Sequence, residues 1–338
     1  MVFPHKEFEK ASCRDANIEK GLLADMFDFI EKEKLDIHSM ILLKDGAKVF
    51  DAYAPGYYRY HNEEIYSISK SFTSVAIGIC QDKGLLKVDD FILSFFKDSV
   101  KEPTPGYEKI TIKHLLTMSV GQEKDILQDL SPKDDAIDKF FHVNLVHEPG
   151  TVFMYNNSAT FILSAIVTKV TRKSTNDFLA EVLYPILEIE KPVWDSFDGI
   201  SMGAFGMKLN TIDMAKFGLL LVNDGLWKDT QVVSKAYLDE AGKSHISTKN
   251  WDNPRDQYGY GYQFWMNDFG DYRAAGWLKQ YIVINKRFNV VFVTQAKEEK
   301  ELLDLFSNFI LPALEKGWLY DNVSLREYIR KFEGRHHE

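Results

Sequence analysis

Apolar positions Leu22, Leu23, Met26, Phe27, Phe29 and Ile30 recur at helical spacing among acids and lysines, predicting an amphipathic helix over residues 18–34. Two apolar runs follow, His38 to Leu43 and Val49 to Tyr53, joined through Asp45-Gly46. An Asp-Gly pair between such runs predicts a β-hairpin. From Ser67 to about Lys83 the chain reads as an apolar helix stopped near Gly84, and helical stretches recur at 111–118, 158–171, 175–187 and 211–224. Strand-like runs return late, at 258–265, 272–275, 281–284 and 290–293, before a last helix over roughly 299–316.

Strands at both ends with helices between them predict an α+β fold. The expected arrangement is an antiparallel sheet flanked by the terminal helices, with a mostly helical subdomain inserted. The boundaries drawn from the pattern make residues 1–338 a single domain. Its sheet part spans about 1–66 and 225–338, and its helical part about 67–224. A site is expected where the two parts meet, since clefts form at such junctions.

Composition adds little chemistry but excludes some. Hydrophobic residues make up 45% and charged residues 27%, as in ordinary globular proteins. The formal net charge of −9 argues against a nucleic-acid partner, which requires a basic face. Cys13 and Cys80 have no metal-ligand spacing, and Cys80 reads as a small buried hydrophobe. His142 and His147 lack a third ligand and read as surface or cap residues, and His336-His337 as a solvated tail. No metal is expected. The opening residues Met1 to Glu7 lack the form of a secretory leader, and no apolar run reaches membrane-spanning length. The expectation is a cytoplasmic protein without a membrane partner.

The candidate chemistry begins at Ser67-Ile68-Ser69-Lys70. In a helix starting at Ser67, residues three apart share a face, so the hydroxyl and the amine come within reach. The Ser67 N–H would also stay unpaired at the helix start, available to an oxyanion. A serine needs a base to become a nucleophile, and lysine serves only when desolvation lowers its pKa. Phe72, Val75, Ala76 and Ile77 supply an apolar surround. Ser94-Phe95-Phe96-Lys97 has the same spacing but runs into a polar loop and reads as structural. Tyr155-Asn156-Asn157 sits in a turn before a helix; a tyrosine can relay protons and an asparagine can hold both an amine and a substrate carbonyl. The bland alternative is a core tyrosine beside an asparagine N-cap. Tyr-x-Asn recurs at Tyr60 and Tyr320.

Taken in order, these motifs resemble the serine β-lactamase and penicillin-binding superfamily. Ser-x-x-Lys opens an apolar helix, Leu115 to Gly121 reads Leu-Leu-Thr-Met-Ser-Val-Gly, and Glu148-Pro149-Gly150-Thr151 precedes Tyr155. The likeness continues through Gly203 to Met207, Thr211 to Gly218 and Gly276 to Ile282. It is strongest to the branch of class C β-lactamases, D-amino-acid peptidases, related esterases and 6-aminohexanoate-dimer hydrolases. The resemblance implies acylation of Ser67, with Lys70 sharing its proton. It makes Tyr155 general base and then acid, and has Asn157 position Lys70 and the substrate.

A third family motif, Lys-Thr-Gly or His-x-Gly on a strand, is matched by order at Ala274-Ala275-Gly276. Gly276 would let substrate approach closely, and the Trp277 N–H would be the second oxyanion donor. Ala274 stands where the family has a cation. Arg273 and Lys279 are near, though strand alternation points Arg273 away from Ala274.

The resemblance implies a serine hydrolase of small esters or amides that needs no cofactor. The alternatives are β-lactamase or D-amino-acid peptidase activity, and a non-catalytic ligand-binding relative. Trp251, Tyr258, Tyr260, Tyr262 and Trp265 either line a cleft or pack a sheet.

Overall fold

The computed structural model describes residues 7–320 and 323–334. The opening residues, Asp321-Asn322 beside Tyr320, and the His336-His337 tail lie outside that range. Among the described residues the α-helices longer than four residues are α1 (Lys20–Glu33), α2 (Ser69–Asp82), α3 (Ile112–Leu116), α4 (Ala136–Phe141), α5 (Asn157–Thr171), α6 (Thr175–Val182), α7 (Thr211–Val222), α8 (Lys235–Ala241), α9 (Leu311–Lys316) and α10 (Leu325–Gly334). The principal strands are β1 (Ile37–Lys44), β2 (Ala47–Tyr53), β3 (Tyr272–Gly276), β4 (Gln280–Asn285) and β5 (Val290–Ala296). Contacts divide the chain into two compact units. One comprises residues 1–65, 208–223 and 269–338, the other 66–207 and 224–268.

The first unit is an antiparallel sheet in the order β2-β1-β5-β4-β3. The hairpin turns where the Asp-Gly pair placed it, with Asp45 and Gly46 both at positive φ, as a two-residue turn between twisted strands requires. One face of the sheet buries Leu42, Phe50, Val283 and Phe292 against Leu23, Phe27 and Ile30 of α1 and against Phe306, Ala313 and Phe332 of the C-terminal helices. On the other face α7 packs across β1, β4 and β5. The sequence pattern assigned 211–224 to the helical part; α7 instead belongs with the sheet, because its apolar side chains lie on β4 and β5.

The second unit gathers α2, α3, α4 and α6 around α5. Every residue from Ser158 to Val167 of α5, and from Ser69 to Cys80 of α2, is buried, so both helices are apolar or hydrogen-bonded on all sides. Residues 225–268, expected with the sheet, join this unit. The run 258–265 is not a continuous strand: Gly259 and Gln263 have positive φ, and only Trp265–Met266 is extended. Its alternating aromatics reflect packing among rings rather than a pleat. The pattern also missed α4, α8 and α10, which are short or amphipathic at low overall hydropathy. Among the described residues no helix is long and apolar enough to cross a membrane.

Candidate active site

Ser67 lies two residues before the helix rather than at its start. It sits in a 3-10 turn, Tyr66–Ile68, and α2 begins at Ser69. Tyr66 takes φ 48°, a left-handed conformation that costs roughly 1–3 kcal/mol outside glycine. The Ser69 hydroxyl donates to the Tyr66 carbonyl at 2.6 Å, closing the turn around Ser67. The tightened turn preserves the three-residue spacing, and Lys70 Nζ stands 2.9 Å from Ser67 Oγ.

Lys70 is 1% exposed. Its Nζ also lies 2.8 Å from Asn157 Oδ1 and 2.9 Å from the Ala204 carbonyl. Both of those oxygens can only accept, so they take two N–H bonds whatever the charge on the amine. The third direction faces Ser67. A neutral amine presents its lone pair there, and an ammonium presents a proton. Desolvation pulls the Lys70 pKa down to about 7, against a smaller raising effect of the Asp125 carboxylate.

Tyr155 completes the group, with Lys70 Nζ 4.7 Å from its ring centroid and the Ser67 side chain near enough to the phenol to act on its pKa. Burial raises the phenol pKa, the Ser67 side chain opposes that, and the Asp256 and Asp125 charges add to it. The ring stacks on Trp265 at 5.9 Å, with Trp251 at 6.0 Å and Tyr260 at 6.4 Å. Of the aromatics noted in the sequence, these three surround Tyr155. Tyr262 stacks on His245 instead, and Tyr258 is exposed. The next two residues divide two tasks. Asn156 caps α5, its side chain accepting from the Ala159 N–H, while Asn157 reaches Lys70.

The second unit therefore brings Ser67, Lys70, Tyr155 and Asn157 together. Two contributors escaped the sequence reading. The Ala204 carbonyl is main chain, which residue identity does not reveal. It is held through Gly203, at φ +70°, whose added Cβ would stand 3.0 Å from the Thr160 carbonyl, and the Gly203 carbonyl accepts from Thr73 of α2 at 2.9 Å. Asp125 belongs to no motif. The rival Ser94 is exposed in a 3-10 turn, its hydroxyl donating to the Phe91 carbonyl, and Lys97 is exposed as well.

The third motif lies in the sheet unit. Ala274 is buried opposite Ile282, on the face that packs against α7. Arg273 is fully buried on the opposite face, beside the Tyr281 ring at 5.9 Å. Lys279 is paired with Glu301 at 3.1 Å. Gly276 meets a demand within its own unit: an added Cβ would fall 2.4 Å from the Ile65 carbonyl. Trp277 follows in a turn and is 69% exposed.

The β-lactamase family profile matches residues 31–308. Among curated relatives, penicillin-binding protein 4* of Bacillus subtilis is 24% identical over 173 residues, 45% of this chain and 37% of that protein. Protein flp of Staphylococcus aureus is 27% identical over 165 residues, 44% of this chain and 33% of that protein. The matched stretches thus span about a third of those relatives' length. Among solved structures, a Bacillus anthracis protein proposed to be a 6-aminohexanoate-dimer hydrolase superposes with TM-score 0.72 at 19% identity, covering 93% of this chain and 89% of that one. The octameric penicillin-binding protein homologue of Pyrococcus abyssi gives 0.69 at 20% identity, over 87% and 77%. Such identities speak to the fold. With the family profile covering most of its length, the chain belongs to the β-lactamase family.

Proposed function

We propose that the protein is a serine hydrolase that forms an acyl-enzyme on Ser67 and cleaves an ester or amide bond of a small molecule. The observation that carries this is the Lys70 amine, buried, 2.9 Å from Ser67 Oγ and lowered to a pKa of about 7. At neutral pH about half of such amines are unprotonated, against about one in 3,000 for an ordinary lysine. Asn157 Oδ1 and the Ala204 carbonyl occupy its N–H bonds, which leaves the lone pair for the serine proton.

In the acylation step Ser67 Oγ attacks the substrate carbonyl carbon and its proton passes to Lys70 Nζ. The tetrahedral intermediate then expels an alcohol or amine, which takes a proton. The raised phenol pKa makes Tyr155 a proton donor rather than a resting base, so it suits protonation of the leaving group. Lys70 then returns a proton to the phenol. Water releases the acid in a second passage through the same groups.

Ester or amide substrates lead over β-lactams because Ala274 stands in place of the family's cation, while the neighbouring Arg273 is buried on the other face and Lys279 is held by Glu301. The test is Ser67→Ala, which should abolish p-nitrophenyl ester hydrolysis and fluorophosphonate labelling. Retained turnover, or a label found on another residue by mass spectrometry, would overturn the assignment.

A further inference from the structure

Asp125 enters neither the motifs nor the mechanism above, yet it is built into the group. It reaches the start of α5 from the loop after Gly121. Its carboxylate accepts the Asn157 N–H at 2.8 Å, the Ser158 N–H at 3.1 Å and the Leu127 N–H at 3.0 Å, and also bonds the Ser158 hydroxyl. The Ser158 oxygen in turn accepts the Ile126 N–H at 3.0 Å, tying the loop to the helix. A negative charge at a helix N-terminus is stabilised by the unpaired amides and the helix dipole. α5 is fifteen residues long, and its first residue is the asparagine that holds the lysine.

We propose that Asp125 is a positioning residue for the Ser67–Lys70 pair, one that fixes Asn157 at the head of α5 and with it the oxygen that holds the lysine amine. This rests on the hydrolase reading for its catalytic meaning, but not for its physical content. The groups facing Lys70 are the Ser67 hydroxyl, the Asn157 and Ala204 oxygens, the Tyr155 ring and, at longer range, the Asp125 charge. Tyr155 in turn faces Ser67, Asp256 and Asp125. Asp125 is thus the one carboxylate acting on both partners among the described residues. Its charge raises the proton affinity of the buried amine, against the larger lowering by desolvation. A neutral cap would hold the helix start and lack this effect.

The experiment compares Asp125→Asn and Asp125→Ser, both residues able to cap a helix. Lys70 is titrated by NMR in protein carrying side-chain-labelled lysine, its signal assigned by its loss in Lys70→Gln. The pH dependence of fluorophosphonate labelling is measured alongside. Loss of a nearby opposite charge should lower the Lys70 titration midpoint by about one pH unit and move the rising limb of labelling down with it. An unmoved midpoint and limb, even with a lowered melting temperature, would reduce Asp125 to a helix cap and overturn the proposal. So would failure of both variants to fold, which would make the carboxylate a structural requirement. The NMR midpoint needs no turnover, so a refuted hydrolase function, read from Ser67→Ala, stays distinguishable from a refuted role for Asp125.

Discussion

Changing the pH across the Lys70 titration is the sharpest perturbation of the site. In the proposed reaction acylation needs the neutral amine, and the folded-state pKa of about 7 lies far below the ordinary 10.5 because the ammonium is desolvated. Below pH 7 the amine is protonated, so kcat/KM should rise with pH through 7 and level off above. The neutral fraction is about one hundredth at pH 5, about half at pH 7 and near unity at pH 9. The limb should therefore have a slope near one proton and span roughly two orders of magnitude. The assay is the second-order rate of fluorophosphonate inactivation between pH 5 and 9.5, corrected for reagent hydrolysis, with retained fold checked by circular dichroism. A midpoint close to 10 would mean that water solvates the amine after all. A flat profile would mean that Lys70 is not the proton acceptor. Either result would end the reasoning that joins the burial of Lys70 to its chemistry.

Three further outcomes follow from particular contacts. Asn157→Ala removes an acceptor 2.8 Å from the Lys70 amine; a hydrogen bond to a charged or reacting group is worth about 1.5–3 kcal/mol, so kcat/KM should fall about 10- to 150-fold with circular dichroism unchanged. Gly276→Ala places a methyl 2.4 Å from the Ile65 carbonyl and should lower stability by about 1–3 kcal/mol, read as a fall in melting temperature. An unchanged melting temperature would show that the strand yields freely. Burial pushes the Cys80 thiol up to about 12, so maleimide at neutral pH should modify it only after unfolding, while the half-buried Cys13 reacts in the native protein.

Much of the frame was legible because local rules suffice for it. The Asp-Gly turn set the hairpin, and helical periodicity marked α1, α2, α5 and α7 within a few residues of their ends. The late strands at 280–285 and 290–296 were plain from runs of β-branched and aromatic residues. The aromatic run at 258–265 misled for the same reason: alternating rings look alike whether they pave a sheet or pack around Tyr155. The allocation of α7 to the sheet was invisible, since an apolar helix face does not say which surface it will cover.

For the site, the chain alone determined the spacing of Ser67 and Lys70 and offered Tyr155 and Asn157 as partners. It could not choose between Ser67 and Ser94 by spacing. The apolar helix after Ser67 and the polar loop after Lys97 favoured the first, and the fold agrees by burying Lys70 while Ser94 and Lys97 stay exposed. Only the tertiary structure brought the Ala204 carbonyl and the Asp125 carboxylate to bear on the lysine, from positions far from it along the chain. Hydrogen-bond reach and desolvation depend on distance in space and on the water excluded, and neither is carried by the order of residues.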